Sequence, residues 1–208
     1  MQQFFGPAYR IHTQRTVIRC YNPIDAVLLK AAVDDSIDHL STFLPWAAAG
    51  PAALEDTVQL LRTFRGNFDL GQDFVYGIFT PDETRLLGGT GLHTRVGKTA
   101  REIGYWIRKD AINQGLATEI SAALTKVAFE VDQMQRVEIH CAVENAQSAA
   151  IPRKLAYTLD ATLRQRTRLA DGRDHDMMIW SLLKDEYPNS PSAQTQIEAF
   201  DAAGRKIR

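Results

Sequence analysis

One junction constrains this chain more than any other. In EIGYWIRKDAINQGLATE, residues 102–119, an aromatic strand gives way to a short polar loop and then to a helix. The helix is expected from Gly115 to about residue 132, because Leu116, Ile120, Leu124, Val127 and Val131 recur at helical spacing. Behind it, RVEIHCAV (136–143) alternates as a half-buried strand does. A strand-to-helix junction leaves several backbone amides unpaired and pointing along the helix dipole, which suits a pyrophosphate. Gly115 lets backbone approach a ligand closely, and Asn113 tolerates a left-handed conformation almost as glycine does. Ordinary packing and capping account for the same residues.

The remaining elements follow from pattern and punctuation. A strand is expected at 15–20 after a short arm, then a helix opened by Asn22-Pro23. A second helix from Pro51 carries Leu54, Val58, Leu61 and Phe64 as its stripe. Between the two, HLSTFLPWAAAG (39–50) reads as a proline-broken loop with exposed apolar groups. Strands are expected at 74–80 and 86–96 around a Pro81-Asp82 turn, and again at 102–108. A short helix at 148–155 accommodates Pro152 only if that residue lies in its first turn. A hairpin at 158–169 and 174–183 turns at Asp171-Gly172. Arg164, Arg166 and Arg168 alternate along its first strand, as a solvated face or an attractor of an acidic partner. The order is β-α-α-β-β-β-α-β-α-β-β, an α/β sheet of mixed direction. Residues 1–184 make one domain, and the polar tail 185–208 is expected to be loosely attached.

Composition removes several classes of function. The chain has 24 Lys and Arg against 25 Asp and Glu, a net charge of −1, which excludes a charge-driven grip on nucleic acid. No apolar run approaches the ~18 residues of a membrane span, and MQQFFGPAYR shows no secretory signal. Cys20 and Cys141 are too few for a disulfide framework, and Cys141 sits on the buried side of its strand. A cytoplasmic, single-domain protein is the expectation, with a homodimer open. The five histidines are scattered, and no metal is expected.

The element order, EIGYWI followed by GLATE, and RVEIHCAVENAQSAAIPRKLAYTL together resemble the GNAT superfamily of acyl-CoA-dependent N-acetyltransferases, most closely its RimJ/RimL group. The likeness runs over about residues 10–184. It implies a mixed, mostly antiparallel sheet of about seven strands with about four helices, splayed at the acyl-CoA site. It implies acetyl-CoA as co-substrate and a primary amine as acceptor, either a protein N-terminus or a small molecule such as a polyamine or aminoglycoside. Succinyl-CoA as donor and a catalytically idle CoA-binding domain are the alternatives. The phosphate loop of the family falls on 112–117, with Ile112 and Asn113 departing from its usual residues.

Carried over by position, Ile107, Asn113, Gln114, Gly115, Leu116, Ala117 and Thr118 flank the cofactor. Asn145 meets the pantetheine arm, Ser148 lies near the sulfur, and Gly104 marks a strand bulge that opens the sheet. Arg153 or Lys154 reaches a CoA phosphate. Phe43, Trp46, His93 and Tyr105 line the acceptor side, with His39 and Leu44 beside them. Direct attack of an amine on a thioester needs a proton acceptor and support for the departing thiolate. Glu102 is the expected base, against a solvated strand-start carboxylate, with His93 a weaker substitute. Glu138 and His140 share a strand face, His140 reading as a half-buried strand histidine. The family's usual tyrosine acid falls on Pro152, and Tyr157 reads as core, which leaves Ser148 or water for the thiolate.

Overall fold

The computed structural model describes residues 7–169 and 171–208. The start of the N-terminal arm and Ala170 beside the hairpin turn lie outside them. Among the described residues the chain builds one mixed sheet of nine strands with five α-helices. In chain order these are β1 (Arg10–His12), β2 (Val17–Cys20), α1 (Ala26–Asp34), α2 (Ile37–Ser41), α3 (Leu54–Asp69), β3 (Phe74–Phe79), β4 (Leu86–His93) and β5 (Ala100–Ile107). There follow α4 (Leu116–Glu130), β6 (Arg136–Ala142), α5 (Ala146–Lys154), β7 (Thr158–Arg168), β8 (Asp174–Leu183) and β9 (Glu198–Phe200). The strand order is β7-β8-β6-β5-β4-β3-β2-β1-β9.

Short connections make β1–β2, β3–β4, β4–β5 and β7–β8 antiparallel, and β2–β3, β6–β8 and β1–β9 pair antiparallel across longer stretches of chain. Among the described strands only β5 and β6 run parallel, because α4 carries the chain back across the sheet between them. That parallel ladder is short. It joins Ala100–Glu102 to Arg136–Glu138 and then stops, although β5 continues against β4 and β6 against β8. The sheet therefore opens along its middle, as the resemblance implied, but not through a bulge at Gly104. The β4–β5 register is regular from Gly88↔Ile107 to His93↔Glu102, with Gly91 opposite Gly104. Gly104 is needed for another reason: a Cβ there would stand 3.2 Å from His93 Nε2.

Successive strand residues face opposite sides, and two cores result. Ile120, Leu124 and Val127 of α4 pack on Tyr76, Ile78, Ile103 and Ile139. On the other side Leu29 of α1 and Leu61 of α3 close over Tyr21, Phe79 and Leu86. Burying each large aliphatic side chain of this kind contributes about 2 kcal/mol.

Several expectations need correction. The 39–50 segment begins in the last residues of α2 and contains a 3-10 turn at Pro45–Ala49, although Trp46 stays half exposed as anticipated. The strand expected to reach residue 96 ends at His93. Pro152 lies near the end of α5 rather than in its first turn. The alternation of Arg164, Arg166 and Arg168 on one face is interrupted by a register shift between Leu163 and Thr167, where Gln165 takes φ 49°.

The polar tail is not loose. β9 pairs antiparallel with β1, itself a strand hidden in the expected arm. Tyr187 stacks on Phe129 at 4.7 Å and donates a 2.6 Å hydrogen bond to Glu130, while Lys126 Nζ donates to the Ala193 carbonyl at 2.7 Å. A few anchors hold a segment whose average composition reads as unstructured.

Candidate active site

The opening between β5 and β6 holds a cavity of about 830 Å³. The start of α4 forms one wall. Asn113 (φ 61°) and Gly115 (φ 77°) both adopt the left-handed conformation, which turns the loop sharply into the helix. Gly115 is the N-cap, and no side chain among the described residues caps the end. The amides of Leu116, Ala117 and Thr118 thus lack intrahelical partners, and all three residues line the cavity with Asn113 and Gly115. This is a ready anion site built from backbone.

A side chain that no sequence pattern singled out braces this wall from behind, outside the cavity lining. Arg15 donates from Nε to Glu119 Oε2 at 2.7 Å and from Nη1 to the Gln114 carbonyl at 2.9 Å. Glu119, in the first turn of α4, complements the helix dipole and tethers the guanidinium beside Gly115. Nothing local in RTVIRC marks Arg15, because its partners lie about a hundred residues on. Gln114 points its carbonyl at Arg15 and does not line the cavity.

The second wall is α5. Asn145 Oδ1 accepts the Ser148 amide at 3.0 Å, so its acceptor oxygen caps the helix and its NH2 group remains for a ligand. Ser148 Oγ lies 2.9 Å from the Tyr105 hydroxyl, which also donates to the Ser148 carbonyl at 3.3 Å. Burial raises the pKa of Tyr105, outweighing that hydrogen bond, and likewise pushes up the Cys141 thiol nearby. Asn145, Ser148, Tyr105, Cys141, Ile107 and Lys154 all line the cavity. Arg153 does not; its guanidinium lies over the Trp180 ring at 5.2 Å.

Charged side chains gather where the ladder stops. Glu102 is buried, not the solvated carboxylate of the simpler reading, and both its oxygens accept from Arg95. Burial acts to raise its pKa, but the Arg95 hydrogen bonds and the charges of His140 and Arg95 outweigh it, leaving the carboxyl below its ordinary value. His140, half-buried as expected, has Nδ1 3.6 Å from Glu102 and Nε2 2.6 Å from Glu138, which in turn accepts from Arg136 at 2.6 Å. Arg95, Glu102 and His140 all border the cavity.

The acceptor side is closed by α2 and the turn after it, through His39, Phe43, Leu44 and Pro45. Two expected lining residues stand back from it. Trp46 packs edge-on against Trp106 at 6.1 Å, and His93 turns Nδ1 to Asp73 at 2.9 Å with its ring over Gly104.

Residues 15–158 match the family model described as an acetyltransferase (GNAT) domain, more than half the chain. The chain belongs to the GNAT acetyltransferase family. Curated relatives of this GNAT enzyme include the putative ribosomal N-acetyltransferase YdaF of Bacillus subtilis, 36% identical over 104 residues, 49% of this chain and 56% of that one. The match thus spans little more than half of that relative. The ribosomal-protein-serine acetyltransferase of Escherichia coli is 28% identical over 149 residues, 69% of this chain and 81% of its own. Among solved structures, RimJ of Mycobacterium smegmatis in complex with CoA-disulfide shares the fold at TM-score 0.77 and 19% identity, covering 86% of this chain and 87% of that one. The GNAT domain also matches the RimL ribosomal L7/L12 alpha-N-protein acetyltransferase in complex with coenzyme A at TM-score 0.75 and 21% identity, covering 84% and 97%. Among the described residues no helix is long and apolar enough to cross a membrane, and no group of His, Cys, Asp and Glu is arranged to hold a metal ion.

Proposed function

We propose that this GNAT enzyme transfers an acetyl group from acetyl-CoA to the N-terminal amine of a polypeptide. The observation that carries the reading is one continuous cavity. It joins the uncapped amides of α4 to Ser148 in the β5–β6 opening and to the buried charges around Glu102. An acyl donor enters with its pyrophosphate on the amides of residues 116–118 and its pantetheine arm between β5 and β6. There the NH2 group of Asn145 donates to an amide of the arm. The amine nitrogen forms a bond to the thioester carbon, the C–S bond breaks with its electron pair going to sulfur, and the amine proton leaves.

Glu102 takes that proton through water. Its lowered pKa keeps it ionised at neutral pH and attractive to an ammonium, but makes it a weak acceptor. Ser148 donates a hydrogen bond to the departing thiolate, which needs little help because a thiol ionises near pH ~8.5. The family match and these cavity groups speak against an idle CoA-binding domain. The relatives named for ribosomal proteins favour a polypeptide acceptor over a small amine. Buried free cysteines accord with a reducing, cytoplasmic setting.

The test is release of CoA thiol from acetyl-CoA, with succinyl-CoA as control, against peptides with varied N-termini, polyamines and aminoglycosides. Turnover with the peptides alone supports the reading. Turnover with small amines alone replaces the acceptor, and no turnover with any removes the enzyme.

A further inference from the structure

α5 contains a proline where a helix ordinarily tolerates none. Pro152 has no N–H, so the carbonyl of Ser148, four residues earlier, has no intrahelical donor. A carbonyl half withdrawn from water seeks a partner, and here one comes from the sheet. The Tyr105 hydroxyl stands 3.3 Å from that carbonyl and 2.9 Å from the Oγ of the same serine. Tyr105 and Cys141 both belong to the α4-facing core side of the opening.

We propose that Tyr105 is a positioning residue that aims the Ser148 hydroxyl at the sulfur of the acyl donor, anchored by the carbonyl that Pro152 leaves free. This rests on the acetyl-transfer reading above. A phenol has one proton, shared here between two acceptors of Ser148, the Oγ at 2.9 Å taking the larger part and the carbonyl at 3.3 Å the smaller. A serine oxygen that accepts from Tyr105 keeps its own proton for a partner in the cavity, and accepting one hydrogen bond strengthens the other it donates. No proton changes hands. Tyr105 stays neutral because burial raises its pKa, and the thiolate leaves with a hydrogen bond in place.

The device is read without any acceptor by titrating the thiol of bound CoA through thiolate ultraviolet absorbance. The CoA-free protein is subtracted to remove Cys141 and the tyrosines. Ser148→Ala should weaken ionisation of the bound thiol about tenfold, the size of one hydrogen bond to a charged group. Tyr105→Phe should weaken it comparably, and the double variant no further. In turnover, Tyr105→Phe should lower kcat about tenfold, short of the ~10²-fold cost of removing a direct oxyanion donor, with the Kd for acetyl-CoA unchanged. Pro152→Ala, which restores the missing N–H and so leaves the phenol proton to the Ser148 hydroxyl alone, should raise the melting temperature and strengthen thiol ionisation. It serves as the test if Tyr105→Phe does not fold.

Wild-type thiol ionisation in Tyr105→Phe, or in Pro152→Ala where that variant stands in, overturns the proposal. So do losses that add in the double variant, since Tyr105 would then act without Ser148. If the thiol titrations couple as expected but no amine is acetylated, the positioning role stands and the acetyl-transfer reading fails.

Discussion

The two flanks of the β5–β6 opening are built from different materials. At the start of α4 the site is backbone: two left-handed residues and a row of uncapped amides, with Arg15 clasped at the side. Across the opening it is side chain: Arg95, Glu102, His140, Glu138 and Arg136 in one linked network drawn from three stretches of chain. A backbone site depends on local conformation and tolerates most side chains, which is why Ile112 and Asn113 can depart from the family's usual residues. A side-chain network depends on each member, because removing one leaves another buried and unpaired.

The sharpest way to break the comparison is Glu102→Gln. It takes the carboxylate from Arg95 and from the amine proton together, and kcat should fall by roughly 10²-fold with acetyl-CoA affinity little changed. Wild-type rates in the folded variant would remove Glu102 from the chemistry and leave the network a purely structural one.

Gly115→Asp attacks the other flank. Its φ of 77° disfavours a side chain, a Cβ there would stand 3.8 Å from Arg15 Nη2, and the carboxylate would bring negative charge beside the amides expected to take the pyrophosphate. Acetyl-CoA affinity should fall at least ~10-fold, about 1.4 kcal/mol, by calorimetry. If affinity survives in a folded protein, the amides of α4 are not the phosphate site.

Asn145→Ala separates capping from binding within one residue. Loss of the cap should cost about 1 kcal/mol in a melt. A further fall in acetyl-CoA affinity beyond that of the folded fraction marks the NH2 group as a ligand donor, and unchanged affinity leaves the residue a cap.

The smallest effect is in pH. Glu102 is held below its ordinary carboxylate value, so its stabilisation is complete above the unfolded-state pKa and is lost as pH falls through the folded one. Wild type should therefore lose stability between about pH 5 and pH 3 more steeply than Glu102→Gln, which no longer carries that group. Parallel acid melts would show that the ion pair with Arg95 contributes nothing to folding.

Much of the α4 flank could be read from residues 102–119, because helical spacing, a loop of small and polar residues and a glycine at the turn are local signals. The same locality explains the failures. β1 and β9 are three residues each, and their short apolar pattern is invisible until they pair with one another. Pro152 was placed in a first turn because sequence registers the proline but not where the cap at Asn145 starts the helix. Trp46 and His93 belong to the right loop and strand, yet Trp106 and Asp73 claim them.

What the sequence determined by itself was the order of elements from β2 to β8 apart from α2, the helix that carries the chain between two parallel strands, and the kind of backbone that loop 112–115 would need. Periodicity and conformational preference act over a few residues, so they survive in a linear text. Tertiary structure alone decided where the β5–β6 ladder ends, that Arg15 clasps Glu119, that Arg95 neutralises Glu102, and that the Tyr105 hydroxyl meets both the hydroxyl and the carbonyl of Ser148. Each is a contact between side chains or strands brought together only by folding, and its energy depends on distance and burial that no residue carries in its own identity.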